Sequence, residues 1–159
     1  MKLSRIAALS ALTSVLLAAP AFATPDIYVV NFRHAEDAKS QQLDTSLPDV
    51  IRMSQIEVEE IVIDTTTAAK WEKSAHDAFN RDIVPVFNKW VGLPGFAAVV
   101  DPQSKSVMGC LNAAGDPVTL AKELRNMAAR SKGQAYASNA STSAALTQCP
   151  KTYNLPPVR

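Results

Sequence analysis

Apolar residues in this chain fall into short blocks separated by polar, turn-forming stretches, and the period of each block predicts an element. The run Ile27-Tyr28-Val29-Val30-Asn31-Phe32 is rich in β-branched and aromatic side chains and predicts a buried first strand. Over 35–53, Leu43, Leu47, Val50 and Ile51 recur at three- and four-residue spacing, the period of a helix. Pro48 is expected to divide that helix, because proline is tolerated only in a helix's first turn. Ile56, Val58, Ile61 and Ile63 then alternate imperfectly with Glu57, Glu59 and Glu60, predicting a second strand that is strongest at 59–63. Asp64, Thr65, Thr66 and Thr67 offer capping oxygens to a second helical stretch. Its stripe runs through Trp71, Ala75, Ala78, Phe79, Ile83, Val86, Phe87 and Trp90; Pro85 should kink or divide it and Gly92 should stop it. Residues 96–100 predict a third buried strand, 101–105 a turn, and 106–111 a fourth strand paired with the third as a hairpin. Asp116 and Pro117 open a last helix, with Leu120, Leu124 and Met127 as its buried stripe. From Ser131 onward Ser, Thr, Ala, Asn and Gln dominate, with Pro150, Pro156 and Pro157 near the end. This predicts a low-complexity tail, weakly ordered unless Cys149 ties it down.

The first 23 residues follow another logic. Lys2 and Arg5 give a basic start, and an apolar run over 6–19 is interrupted by Ser10, Thr13 and Ser14. The run is too short to serve as a mature anchor, which needs about 20 apolar residues. Ala21 and Ala23 have the small-x-small spacing that a signal peptidase accepts, so cleavage is expected between Ala23 and Thr24. No cysteine lies at that cut, which argues against a lipoprotein anchor. The expected organisation is a signal peptide over 1–23, one domain over 24–130 and a tail over 131–159, delivered to a bacterial periplasm or secreted. Losing Lys2 and Arg5 moves the formal charge from +1 to −1. A near-neutral chain has no electrostatic footprint for nucleic acid or anionic lipid. No second long apolar stretch predicts a membrane span after signal cleavage.

Export also changes the meaning of the two cysteines. Cys110 and Cys149 form an even pair in an oxidising compartment, which reads as a disulfide; the alternative is one buried thiol and one loose one.

The order strand, helix, strand, helix, strand, strand, helix predicts an α/β fold with a mixed four-stranded sheet flanked by helices. The segment Val91-Gly92-Leu93-Pro94-Gly95-Phe96-Ala97-Ala98-Val99-Val100-Asp101 resembles the thioredoxin fold, in which a glycine, a short apolar step and a cis-proline precede the third strand. The topological likeness covers roughly 26–129, and the sequence detail lies within 90–127. At the corner where redox-active members carry Cys-x-x-Cys, this chain has Arg33-His34-Ala35-Glu36-Asp37-Ala38-Lys39, with no sulfur. Thiol–disulfide exchange through that site is therefore excluded, and both cysteines are expected to lie far from it. The run Phe87-Asn88-Lys89-Trp90-Val91-Gly92-Leu93-Pro94 with Ala97 to Asp101 is also similar to small periplasmic thioredoxin-like proteins of bacterial conjugative elements, although Gly95 and Phe96 separate the proline from the strand.

Other chemistry is thin. His34 with Glu36 and Asp37 suggests a metal site less readily than solvated polar residues, and His76 has no partner at ligand spacing. No serine has the Gly-x-Ser-x-Gly setting, and Glu59 and Glu60, adjacent on a strand, face opposite sides. Five glycines form no phosphate loop. Trp71 and Trp90 are expected as core anchors. The sequence thus predicts a non-enzymatic, cofactor-free, exported protein-binding or assembly factor of the cell envelope, in conjugative transfer or secretion. The resemblance implies contact residues Arg33, His34, Leu93, Pro94 and Gly95, with the cis-proline loop presenting free backbone to an extended partner. The rival expectations are an atypical oxidoreductase using Cys110 and Cys149, and a small-ligand or metal carrier using His34.

Overall fold

A computed structural model describes residues 24–134 and 147–152. The expected signal peptide and most of the tail lie outside the described residues. The elements are β1 (Ile27–Arg33), α1 (Ala38–Ser54), β2 (Val58–Asp64), α2 (Ala68–Asn80), α3 (Val84–Trp90), β3 (Phe96–Val100), β4 (Val107–Asn112) and α4 (Pro117–Ser131). The strands form one mixed sheet in the order β2-β1-β3-β4. β1 and β2 are parallel, and β3 runs antiparallel to both of its neighbours, β1 and β4. The α/β class and the four-stranded mixed sheet are as the sequence predicts.

Side-chain alternation builds two cores, one on each face of this sheet. Ile27, Val29, Ala97, Val99 and Leu111 pack against Leu43, Leu47 and Val50 of α1 and Leu120, Leu124 and Met127 of α4. On the other face Val30, Phe32, Ile61, Ile63, Phe96, Ala98 and Val100 meet Ala78 of α2 and Val86, Phe87 and Trp90 of α3. Every residue of β3 is buried, which explains its continuous apolar run.

Pro48 does not divide α1, which runs unbroken from Ala38 to Ser54. Its ring sits on the exposed side, while Leu47 and Val50 beside it are buried and hold both flanks of the helix to the core. Tertiary packing thus outweighs the hydrogen bond that proline removes. Pro85 does mark a division. α2 ends before Asp82, whose φ is 56°, and α3 begins with Pro85 in its first turn. The break parts the predicted stripe. Trp90 is buried, but Trp71 is 47 % exposed and Phe79 73 % exposed, so the expectation of Trp71 as a core anchor fails. Trp71 instead lies edge-on to Phe87 at 5.9 Å, at the rim of the helical layer.

The predicted disulfide is present between Cys110 and Cys149. It draws residues 147–152 back onto the domain. The Cys110 N–H donates to the Thr147 carbonyl at 2.9 Å, and the indole Nε1–H of Trp90 donates to the Pro150 carbonyl at 3.2 Å. Among the described residues no helix is long and apolar enough to cross a membrane.

Candidate functional site

The carboxyl end of β1 and the amino end of β3 lie side by side, with Phe32 opposite Phe96. Their rings stack at 5.0 Å, and Trp90 meets both edge-on, at 6.1 Å from Phe32 and 5.7 Å from Phe96. This aromatic cluster is the floor on which two loops sit. One is the β1–α1 turn, closed by the Asp37 N–H donating to the His34 carbonyl. Asp37 caps α1, accepting from the Ser40 backbone N–H at 2.7 Å and from its hydroxyl at 2.9 Å. Those bonds, with a smaller contribution from Lys39 and His34, hold the Asp37 carboxyl below the usual carboxylate range.

The other loop joins α3 to β3. Its Leu93 N–H returns to the Trp90 carbonyl, and its Gly95 N–H donates to the Phe32 carbonyl at 2.8 Å. Gly95 is buried with φ +92°, and a Cβ there would lie 2.7 Å from Lys39 Cβ and 2.8 Å from Asp37 Oδ2. Only glycine allows the loop to rest on the first turn of α1. No cis peptide bond occurs among the described residues, so Pro94 is trans, contrary to the implied cis-proline. With the Gly95 N–H committed to Phe32, the loop also lacks the free backbone ladder that strand addition would use.

What the loop does form is one wall of an open cleft of about 730 Å³. Leu93, Pro94, Gly95 and Phe96 make that wall; Lys39 and Gln42 of α1 and Ala113 and Ala114 after β4 extend it, and residues 148–151 close the far side. The expectation that both cysteines lie far from the β1–α1 corner is overturned: Cys149 lines the same cleft as Lys39 and Pro94. β3 and β4 pair antiparallel, so Asn112 stands opposite Phe96 and Cys110 opposite Ala98. A disulfide at Cys110 therefore delivers the tail to the amino end of β3.

Leu93, Pro94 and Gly95 thus share a site, but Arg33 and His34 do not line it. The Arg33 guanidinium pairs with Asp44 at 3.0 Å and Asp64 at 3.2 Å, on the side of the sheet edge formed by β2. Asp64 also meets Lys70 at 3.1 Å and accepts from the Thr66 N–H and hydroxyl. Burial alone would push the Asp64 carboxyl up; the Thr66 and Lys70 interactions outweigh it and bring the value down to about 2. His34 is half-buried: its backbone N–H donates to the Ser40 hydroxyl, and its Nδ1 accepts from the Glu36 N–H at 3.3 Å. Among the described residues no group of three or more His, Cys, Asp or Glu side chains is placed to hold a metal ion.

As cleft-lining residues, the sequence reading missed Lys39, Gln42, Phe96, Asn112, Ala113, Ala114, Gln148, Pro150 and Lys151. The Cys110–Cys149 pairing carried the signal for the tail residues, since whatever flanks Cys149 must follow it to the end of β4. Comparison with known proteins gives no matching family model, no matching curated protein and no matching solved structure.

Proposed function

We propose that this chain is an exported, non-catalytic thioredoxin-like module that binds a segment of another envelope protein, in assembly of a conjugation or secretion apparatus. The observation that carries the binding role is the cleft beside Pro94, an apolar trough of ligand-sized volume with a tail strap as its second wall. A sheet of order β2-β1-β3-β4 with β3 antiparallel supports the thioredoxin-like reading. The sulfur-free corner at 33–39 supports the non-catalytic one. Recognition is by side-chain pockets rather than by an added strand, because the loop's Gly95 N–H is already paired.

One observation favours the oxidoreductase reading: Cys149 is only half-buried and lines the cleft. A substrate thiolate attacking Cys149 Sγ would form a mixed disulfide and expel Cys110 as a thiolate. Cys110 is 1 % exposed in an apolar core, where the charged leaving group is disfavoured.

The test uses residues 24–159, oxidised, panned against a displayed library of random heptapeptides. Enriched peptides should shift the amide resonances of Leu93, Gly95, Ala113 and Ala114, and the uncharged, bulky Ala114→Trp should weaken binding. Enrichment of nothing, or of peptides that map elsewhere, rejects the proposal. The chain should not accelerate reduction of insulin by dithiothreitol; acceleration lost in Cys149→Ala transfers the assignment to the oxidoreductase.

A further inference from the structure

The cleft has a sign. Two of the residues that line it are charged, Lys39 on α1 and Lys151 on the strap, and none is a carboxylate. Both lysines are exposed, and among the described residues neither is ion-paired, whereas Lys70, Lys73 and Lys132 each hold an aspartate. Asp37 and Asp116 do not line the cleft and are engaged in helix caps, although the Asp37 carboxylate also interacts electrostatically with Lys39. Asp37, under Gly95, accepts from Ser40 through Oδ2, and Asp116, two residues past Ala114, accepts from the Thr119 N–H. The lining also carries the apolar side chains of Leu93, Pro94, Phe96 and Pro150.

We propose that the occupant of this cleft is an acidic protein segment, extended, with apolar side chains that reach this apolar lining and carboxylates that meet Lys39 and Lys151. This rests on the cleft-binding role proposed above and adds the chemistry of the partner. Two lysines without an ion-pair partner among the described residues, in a largely apolar lining, favour a ligand that combines negative charge with apolar groups and disfavour a cationic one. The Gln42 carboxamide donates to the Ala113 carbonyl at 3.0 Å, which leaves the exposed Gln148 carboxamide to offer a donor and an acceptor to a peptide backbone. Lys151 owes its position to the strap, held by the disulfide, the Cys110–Thr147 bond and the Trp90–Pro150 bond. The acidic preference therefore belongs to the oxidised chain.

Three fluorescein-labelled peptides of about eight residues test this by anisotropy against oxidised 24–159, each alternating leucine with glutamate, glutamine or lysine. The glutamate peptide should bind about tenfold more tightly than the glutamine peptide, and the lysine peptide more weakly still. The advantage should shrink with added salt. The doubly reversed Lys39→Glu, Lys151→Glu protein should bind the lysine peptide best; both positions are exposed, and far-ultraviolet dichroism with intact-mass detection of the disulfide verifies its fold. Equal binding of all three peptides, or a glutamate preference that survives the reversal, overturns the acidic partner while leaving the cleft role standing. Library peptides that map to the cleft while the glutamate peptide fails to bind overturn it in the same way. If neither the library nor these peptides bind the cleft, both proposals fall.

Discussion

At the residue scale, single side chains are held by very different forces. Gly95 is fixed by space. A methyl group there meets both the Lys39 Cβ on α1 and the capping carboxylate of Asp37, on a backbone angle that L-residues avoid. Gly95→Ala should cost roughly 2–4 kcal/mol in urea unfolding, summing left-handed strain and overpacking. Asp64 is held by hydrogen bonds to its ionised form, from Thr66 first and then Lys70. Its value of about 2 lies below the ordinary 3.8, so its contribution is complete above pH 3.8 and lost as pH falls toward 2. For a carboxylate 8 % exposed, that difference amounts to about 2 kcal/mol. Unfolding followed between pH 6 and pH 2 should show this acid loss, and Asp64→Asn should flatten the slope over that range. Arg33 was legible as a charged residue at a strand end, but its role was not. Only the fold shows that it bridges Asp44 and Asp64 rather than facing the cleft.

At the element scale, the periodic patterns located the elements well, because burial on a helix or strand face imposes a spacing that shows in the sequence. The errors came where a neighbour decides. Pro48 is carried through α1 by packing on either side of it, and Trp71 belongs to a stripe whose outer end has no partner layer among the described residues. The strap is the least regular piece, and one covalent bond positions it. Cys110→Ala with Cys149→Ala should lower stability by roughly 3–4 kcal/mol in the chain-entropy picture for a separation of 39 residues. It should also speed exchange of the amide at position 110, whose acceptor is the Thr147 carbonyl. An exchange rate unchanged by reduction would mean that the strap holds without its disulfide.

At the scale of the whole molecule, two cores on opposite faces of one sheet leave the strand ends at the corner free for loops, and the cleft forms there. The cleft is assembled from α1, the α3–β3 loop, the end of β4 and the tail, four regions that are remote in sequence. A disulfide between a buried cysteine of β4 and a tail suits a chain that leaves the cytoplasm. Expressed from its first methionine in a bacterium, the chain should accumulate in the periplasmic fraction with Thr24 as its first residue, read by terminal sequencing. Retention of residues 1–23 in a cytoplasmic product would remove the export reading.

Taken alone, the sequence indicated the order and type of most elements, the α/β class and a disulfide as the favoured state of its two cysteines, since these depend on local periodicity, turn chemistry and composition. It also showed Leu93, Pro94 and Gly95 as one contiguous loop, and these three line the cleft together. The tertiary structure decided the rest. It set Pro94 trans, turned Arg33 into an ion-pair network, and carried Cys149 from a distant tail to the side of Lys39. Those outcomes depend on which strand lies beside which, and the pairing of β3 with both β1 and β4 sums contacts from the whole chain that no single segment records.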